Sequence, residues 1–301
     1  MAGSTPASAT SSGADSPRQA GPRRLGRTLR RFGRNRAALA GLLVVGTLAA
    51  AALAADGLPL AHPLQMQSQV RMALPSWAAP FGADAFGRDL LSRTVYGARL
   101  SLRVAGVSVA AALAAGTALG LVAGYAGGRT DQLVMRTMDV FFSFPAALLA
   151  LGIVAALGPS PDHVILAVAV VYTPIFARVV RGPVLALKER EFVEATRALG
   201  ASAPAVVLRH ILPNLGSVLI VQASIALSWA VLTEASLSFL GLSAQPPMPS
   251  WGAMLNEGRQ NLELAPHLAI FPGLAIMLAV LGFNLLGDGL RDVLDPREPA
   301  R

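Results

Sequence analysis

The chain has 301 residues, of which 53% are hydrophobic and 14% charged, and its mean hydropathy of +0.54 excludes a soluble domain of ordinary composition. Its formal net charge of +8 reads as a topology signal and does not indicate nucleic-acid binding. With no cysteine, disulfide frameworks and thiolate chemistry are excluded.

Residues 1 to 22, rich in Ser, Ala, Gly and Pro, read as a disordered lead-in, and residues 1–36 together as a basic cytoplasmic tail. Arg18, Arg23, Arg24, Arg27, Arg30, Arg31, Arg34 and Arg36 all precede the first apolar run. Six apolar runs read as bilayer spans at about 1.5 Å per residue, the fourth being short for one: residues 37–55, 104–125, 141–157, 164–177, 215–232 and 267–286. The first has a small-x-small string, Ala52-Leu53-Ala54, of the kind a signal peptidase cuts, but it is longer than a typical h-region, so an uncleaved anchor is expected.

The external loop expected over residues 56–103 holds Arg71, Arg88, Arg93, Arg99 and Arg103, partly offset by Asp84 and Asp89. Gly116, Gly120 and Gly124 then place a stripe of glycine on one face of the second span, where it permits close helix packing. Pro145 and Pro174 fall inside the third and fourth spans and allow bends there. Asp139 stands at the edge of the third span near Arg136 and Asp131, and reads as an edge ion pair. Glu234, at the outer end of the fifth span, reads as structural, with a helix face turned to a water-filled cavity as the alternative.

The segment at residues 178–213 interrupts the apolar chain with Arg178, Arg181, Lys188, Arg190, Arg197 and Arg209, which places it inside together with the N-terminus. Within it, EFVEATRALGASAPAVVLRHILPN at residues 191–214 predicts a helix, a turn and a second helix. Glu191 and Glu194 suit the positive end of the first helix, with Arg197 three residues after Glu194. Gly200 suits its left-handed C-terminus, Pro204 the first turn of the next helix, and Pro213 the end of that helix. Phe192, Ala195 and Leu199 make an apolar strip flanked by charge, suited to docking on another protein. The bland alternative is a solvated loop.

After the fifth span, Gln245-Pro246-Pro247 and Pro249 stiffen an external segment over residues 233–266, and Trp251 reads as an interfacial ring. Gly287, Asp288 and Gly289 are expected to break the last span, with Arg291 pairing with Asp288 or Asp295 in a cytoplasmic tail over residues 287–301.

Glu194-Ala195-Thr196, then Gly200, then His210-Ile211-Leu212-Pro213, resembles the EAA loop of ABC transporter permeases, with Thr196 and His210 as departures at two positions. Three further strings resemble the dipeptide, oligopeptide and nickel branch of that family: residues 81–101 with G-x-D-x-x-G-R-D, residues 234–255, and the ending FNLLGDGLRDVLDPR at residues 283–297. The resemblance implies an all-α, polytopic membrane protein with six transmembrane helices, the permease core of a type I importer over residues 98–288, set in a bacterial inner membrane. It implies a heterodimer with a second permease, two cytoplasmic ATPase subunits and an extracytoplasmic substrate-binding protein. It further implies that Glu191, Glu194, Ala195, Thr196, Leu199, Gly200, Leu212 and Pro213 form the loop that couples to the ATPase. The solute expected is a dipeptide or oligopeptide, with nickel chelates, glutathione, murein peptides or opines as alternatives. A membrane enzyme or a channel independent of ATP is the reading from a different class.

Lys188 is the chain's one lysine and follows a leucine, so no glycine-lysine pair exists for a Walker A phosphate cradle. No bound cofactor is expected, and ATP with Mg belongs to partner subunits. His62, His163, His210 and His267 have neither metal-ligand spacing nor a carboxylate cluster, and are expected at interfaces or in loops. No G-x-S-x-G string is present, so catalytic chemistry lacks sequence support.

Overall fold

A computed structural model describes residues 30–294; the expected lead-in and the last seven residues, Asp295 included, lie outside the described residues. The described chain is helical, with one isolated bridge between Ala83 and Asp89 as its β pairing. From Arg36 on, the described residues form ten α-helices in order: α1 Arg36–Ala54, α2 Leu90–Ala126, α3 Gly128–Phe142, α4 Ala146–Leu157, α5 Pro161–Lys188, α6 Glu191–Ala198, α7 Ala203–Val206, α8 Gly216–Phe239, α9 Trp251–Arg259 and α10 His267–Leu294. Five helical stretches are long and apolar enough to cross a membrane, and α3 with α4 makes a sixth if that pair, bent by 86°, counts as one.

Side-chain caps fix several starts. Asn35 accepts from the Ala38 amide at 3.0 Å to open α1, and Asp89 accepts from the Ser92 amide at 2.7 Å to open α2. Ser160 caps α5, with Pro161 in its first turn.

The bundle is built on close helix pairs. α2 and α5 run side by side in parallel, and Gly116, Gly120 and Gly124 are the reason they approach so closely. A Cβ on Gly116 would sit 2.5 Å from the Phe176 Cβ, one on Gly120 2.6 Å from the Ala177 carbonyl, and one on Gly124 2.8 Å from the Val184 Cβ. α1 packs antiparallel on α10 by the same device at Gly41, Gly282 and Gly289. The main core between them includes Val104, Val154, Val168, Phe176, Ala230 and Ala279.

Several helices differ from the apolar runs that announce them. The second begins at Leu90, fourteen residues before the expected start, because Asp89 caps it and Leu90, Ala98 and Ser101 find buried neighbours. The third run is not one helix: Ser143, Phe144 and Pro145 separate α3 from α4, so Pro145 caps a new helix where a bend was expected. The fourth continues through Pro174 and Pro183 to Lys188. The last helix runs through Gly287, Asp288 and Gly289 to Leu294, since these glycines serve packing: a Cβ on Gly289 would meet the Ala38 Cβ at 2.5 Å. Asp292 accepts from Asn35 Nδ2 at 3.2 Å there.

Candidate functional site

At one end of the bundle the polar segment folds as a short helical unit seated on a small apolar core of its own. Val193 is 0% exposed and packs with Leu121, Val180, Val184, Val206, Ile211 and Leu215. That single inward side chain orients α6, so the residues on its other faces point outward. Glu191, Phe192, Glu194, Ala195 and Leu199 are exposed, with Leu199 at 89%. The expected apolar strip is therefore left uncovered by the rest of the described chain.

The turn after α6 is shaped by backbone conformation. Gly200 has φ +82°, its amide donates to Arg197 O at 2.9 Å, and the Ala201 amide donates to Thr196 O at 3.3 Å. Nothing lies within 4 Å of a Cβ built there, so the left-handed φ, and not crowding, is what requires glycine. The Thr196 hydroxyl donates to Phe192 O at 2.6 Å within the helix. Arg197 stacks over the Tyr125 ring at 5.0 Å and donates to its hydroxyl at 3.3 Å, tying α6 to the end of α2 instead of to Glu194.

Of the remaining expected coupling residues, Leu212 packs on the small core and Pro213 is exposed. Pro213 does not end the helical run. A π turn at Val207–Ile211 and a 3-10 turn at Leu212–Leu215 carry the chain into α8, absorbing the missing proline donor. His210 is held in that turn, its carbonyl accepting from Asn214 Nδ2 at 2.6 Å.

Two ion pairs brace the neighbouring helices. Asp131 receives both Nε and Nη2 of Arg181 at 2.5 Å, and Asp139 pairs with Arg178 rather than with Arg136. Neither arginine partner was foreseeable from sequence distance, because α3 and α5 lie about forty to fifty residues apart along the chain.

The opposite end carries a buried charge cluster. Gly82 and Gly87 have φ of +77° and +76°, and a Cβ at either would strike a carbonyl, of Ala73 at 2.3 Å or of Gln67 at 1.9 Å. In the turn they frame, Asp84 accepts from the amides of Phe86 and Arg88 and from Arg88 Nε at 2.5 Å. Arg93, 1% exposed, lies 3.3 Å from Asp84 and 3.1 Å from Glu257 of α9, and Arg88 reaches Glu257 at 3.2 Å. The G-x-D-x-x-G-R-D string is thus a clasp joining the start of α2 to α9. Arg99 pairs with Asp56 and Arg103 with Asp162, so the arginines that looked in excess in this loop mostly have partners.

Trp251 is not an interfacial ring. It is fully buried, its indole N–H donates to Thr94 O at 2.9 Å, and its ring rests against Gly97. Sequence gave no sign of Glu257, whose partners lie more than 160 residues away. His267 is also buried, beside Gly82, and not in a loop. Glu234 is fully buried, its Oε1 accepting from Ser243 Oγ at 3.4 Å. Between the halves of α8 and α10 nearest this end lies an apolar groove of about 480 Å³, lined by Leu232, Phe239, Leu255 and Ile276 among others. Among the described residues no group of three or more His, Asp or Glu is placed to hold a metal ion.

Residues 116–298 match a family model described as the binding-protein-dependent transport system inner membrane component. The chain is 46% identical over 264 residues to the dipeptide transport system permease protein DppC of Alkalihalophilus pseudofirmus, covering 88% of this chain and 87% of that one. It is 51% identical over 223 residues to the glutathione transport system permease protein GsiD of Pectobacterium atrosepticum, covering 74% of each. In fold it is similar to a chain of the MetNI methionine ABC transporter in an inward-facing conformation, with a TM-score of 0.56 and 21% identity over 68% of this chain and 98% of that chain.

Proposed function

Because the chain belongs to the binding-protein-dependent transport system inner membrane component family, we propose that it forms half of the pathway of an ATP-driven importer of short peptides. Dipeptide and glutathione are the solutes in the names of its relatives, and both are small peptides with charged ends. The exposed strip of Phe192, Ala195 and Leu199, held outward by the buried Val193, carries the reading. An apolar strip edged by Glu191 and Glu194 fits a groove on a separate ATPase subunit. In this reading the α6 end and both termini face the cytoplasm, and the clasp end faces outside, where a solute-binding protein docks. A second, different permease subunit completes the pathway, and two ATPase subunits hold the ATP and Mg.

Motion then follows from differential binding. The ATPase pair closes on ATP, α6 moves with it, and its buried anchor transmits that displacement to α5, α2 and α8 through the small core around Val193. The rigid seating of α6 matters because a loosely hung loop would absorb the movement. This chain contributes no hydrolytic step.

The test is uptake of labelled dipeptide and of labelled glutathione into proteoliposomes holding the complete complex and its binding protein, with and without ATP. Uptake of either that requires ATP supports the reading, and Gly200→Asp is expected to abolish coupling while leaving the complex in the membrane. Uptake independent of ATP, or unchanged coupling in that variant, overturns it.

A further inference from the structure

We infer that the break between α3 and α4, at Ser143, Phe144 and Pro145, lines a water-filled passage. Calling that passage the solute pathway rests on the transport reading above; the exposure of the break to water does not.

α4 has twelve residues, so at 1.5 Å per residue it is about 18 Å long, against about 30 Å of hydrocarbon in a bilayer. It descends from the polar turn before Pro161, where Asp162 is exposed, and packs antiparallel along α5 through Ala150 and Val154. The break at its lower end therefore lies well inside the hydrocarbon layer, roughly level with Tyr172 to Pro174 of α5.

The chain turns by 86° here, and α4 starts on Pro145 without a side-chain cap. The amides of Ala146, Ala147 and Leu148 have no backbone acceptor among the described residues, while residues 142 to 148 are all exposed. Unpaired main-chain donors facing lipid cost several kcal/mol each, and irregular backbone at membrane depth occurs where it is buried in protein or faces water. This chain does not bury it. Lipid is therefore excluded as its surroundings.

A nearby ion pair decides between the two remaining neighbours. Asp139 sits one turn before Ser143 on the same face of α3, and the Ser143 amide donates to Asp139 O. Its carboxylate pairs with Arg178, whose guanidinium also lies 3.9 Å over the Phe142 ring. The side chains of the pair are 58% and 48% exposed. An apolar seam with another protein would strip water from both charges, and a half-exposed pair in lipid is costlier still. Water satisfies the pair and the open amides together.

The natural chain has no cysteine, so single substitutions report one site in this subunit. Ser143→Cys and Phe144→Cys, each in the complete complex in proteoliposomes, would be treated with a charged, membrane-impermeant thiosulfonate and separately with a lipid-soluble maleimide. Leu43→Cys on α1, 71% exposed, is the lipid-facing control. Because the thiolate that reacts forms where water reaches it, the charged reagent is expected to modify both break variants about tenfold faster than the control. If both react with the charged reagent as slowly as the control, whether or not the maleimide labels them, lipid or protein covers the break and the inference fails. Fast labelling in a complex whose uptake ignores ATP would sink the transport reading and leave the inference standing.

Discussion

The indole N–H of Trp251 donates to the main-chain carbonyl of Thr94 across 2.9 Å, joining the first residue of α9 to the second turn of α2. Trp251→Phe keeps most of the ring and removes the donor, so a loss of about 1 kcal/mol is expected. Trp251→Ala also empties the space beside Gly97, and a loss of about 3–5 kcal/mol is expected. Thermal unfolding of the purified complex in detergent checks the order. Equal effects of the two variants would show that the hydrogen bond, and not packing, dominates.

The buried clasp makes a second expectation. Asp84→Ala removes the turn's acceptor and leaves Arg88 and Arg93 with Glu257 alone, which for a buried charge group costs about 3–5 kcal/mol. Asp131, paired with Arg181 in a more open setting, is expected to cost about 1 kcal/mol or less when changed to Ala. Comparing the melting temperatures of the two variants tests whether burial sets the difference.

Glycine positions separate into crowded and open. Gly120→Ala drives a Cβ to 2.6 Å from a carbonyl on α5 and is expected to destabilise by about 1–3 kcal/mol. Gly106→Ala, on the same helix with nothing within 4 Å, is expected to be neutral or stabilising by up to about 1 kcal/mol. A melting temperature that falls equally in both would contradict the packing account of the stripe.

At Gly200 the demand is conformational, so the ranking of replacements differs. Gly200→Ala is expected to strain the turn by about 1–2 kcal/mol, and Gly200→Asn by less, because asparagine enters the left-handed region more readily. Hydrogen exchange of the amides over residues 191–206 reads the loosening directly. Alanine tolerated better than asparagine would mean that φ is not what selects glycine there.

The seat and the outward face of α6 are expected to respond differently. Val193→Asp buries a carboxylate in an apolar site and should release the helix, raising amide exchange and abolishing ATPase co-purification. Leu199→Ala, on an exposed side chain, should change stability by no more than about 0.5 kcal/mol while weakening ATPase binding. Unaltered binding in Leu199→Ala would show that the exposed strip is not the docking face.

Much was legible from local pattern alone. Apolar length identified a polytopic helical protein, because a bilayer demands runs of that length whatever the tertiary packing. The charged interruption with Gly200 at its turn announced α6, since a left-handed terminus is a property of a few neighbouring residues. The glycine spacing at 116, 120 and 124 marked a packing face without naming the partner helix. What the tertiary structure decided was every relationship across chain distance. Trp251 looks amphipathic in sequence and is buried because α2 and α9 close over it; Gly287 and Gly289 look like a stop and continue a helix because α1 lies against them. The third apolar run hid a break because hydropathy averages over Ser143 to Pro145, whereas hydrogen bonding does not. Local chemistry determined which segments are helical and apolar; which faces stay open depended on neighbours that only folding brings together.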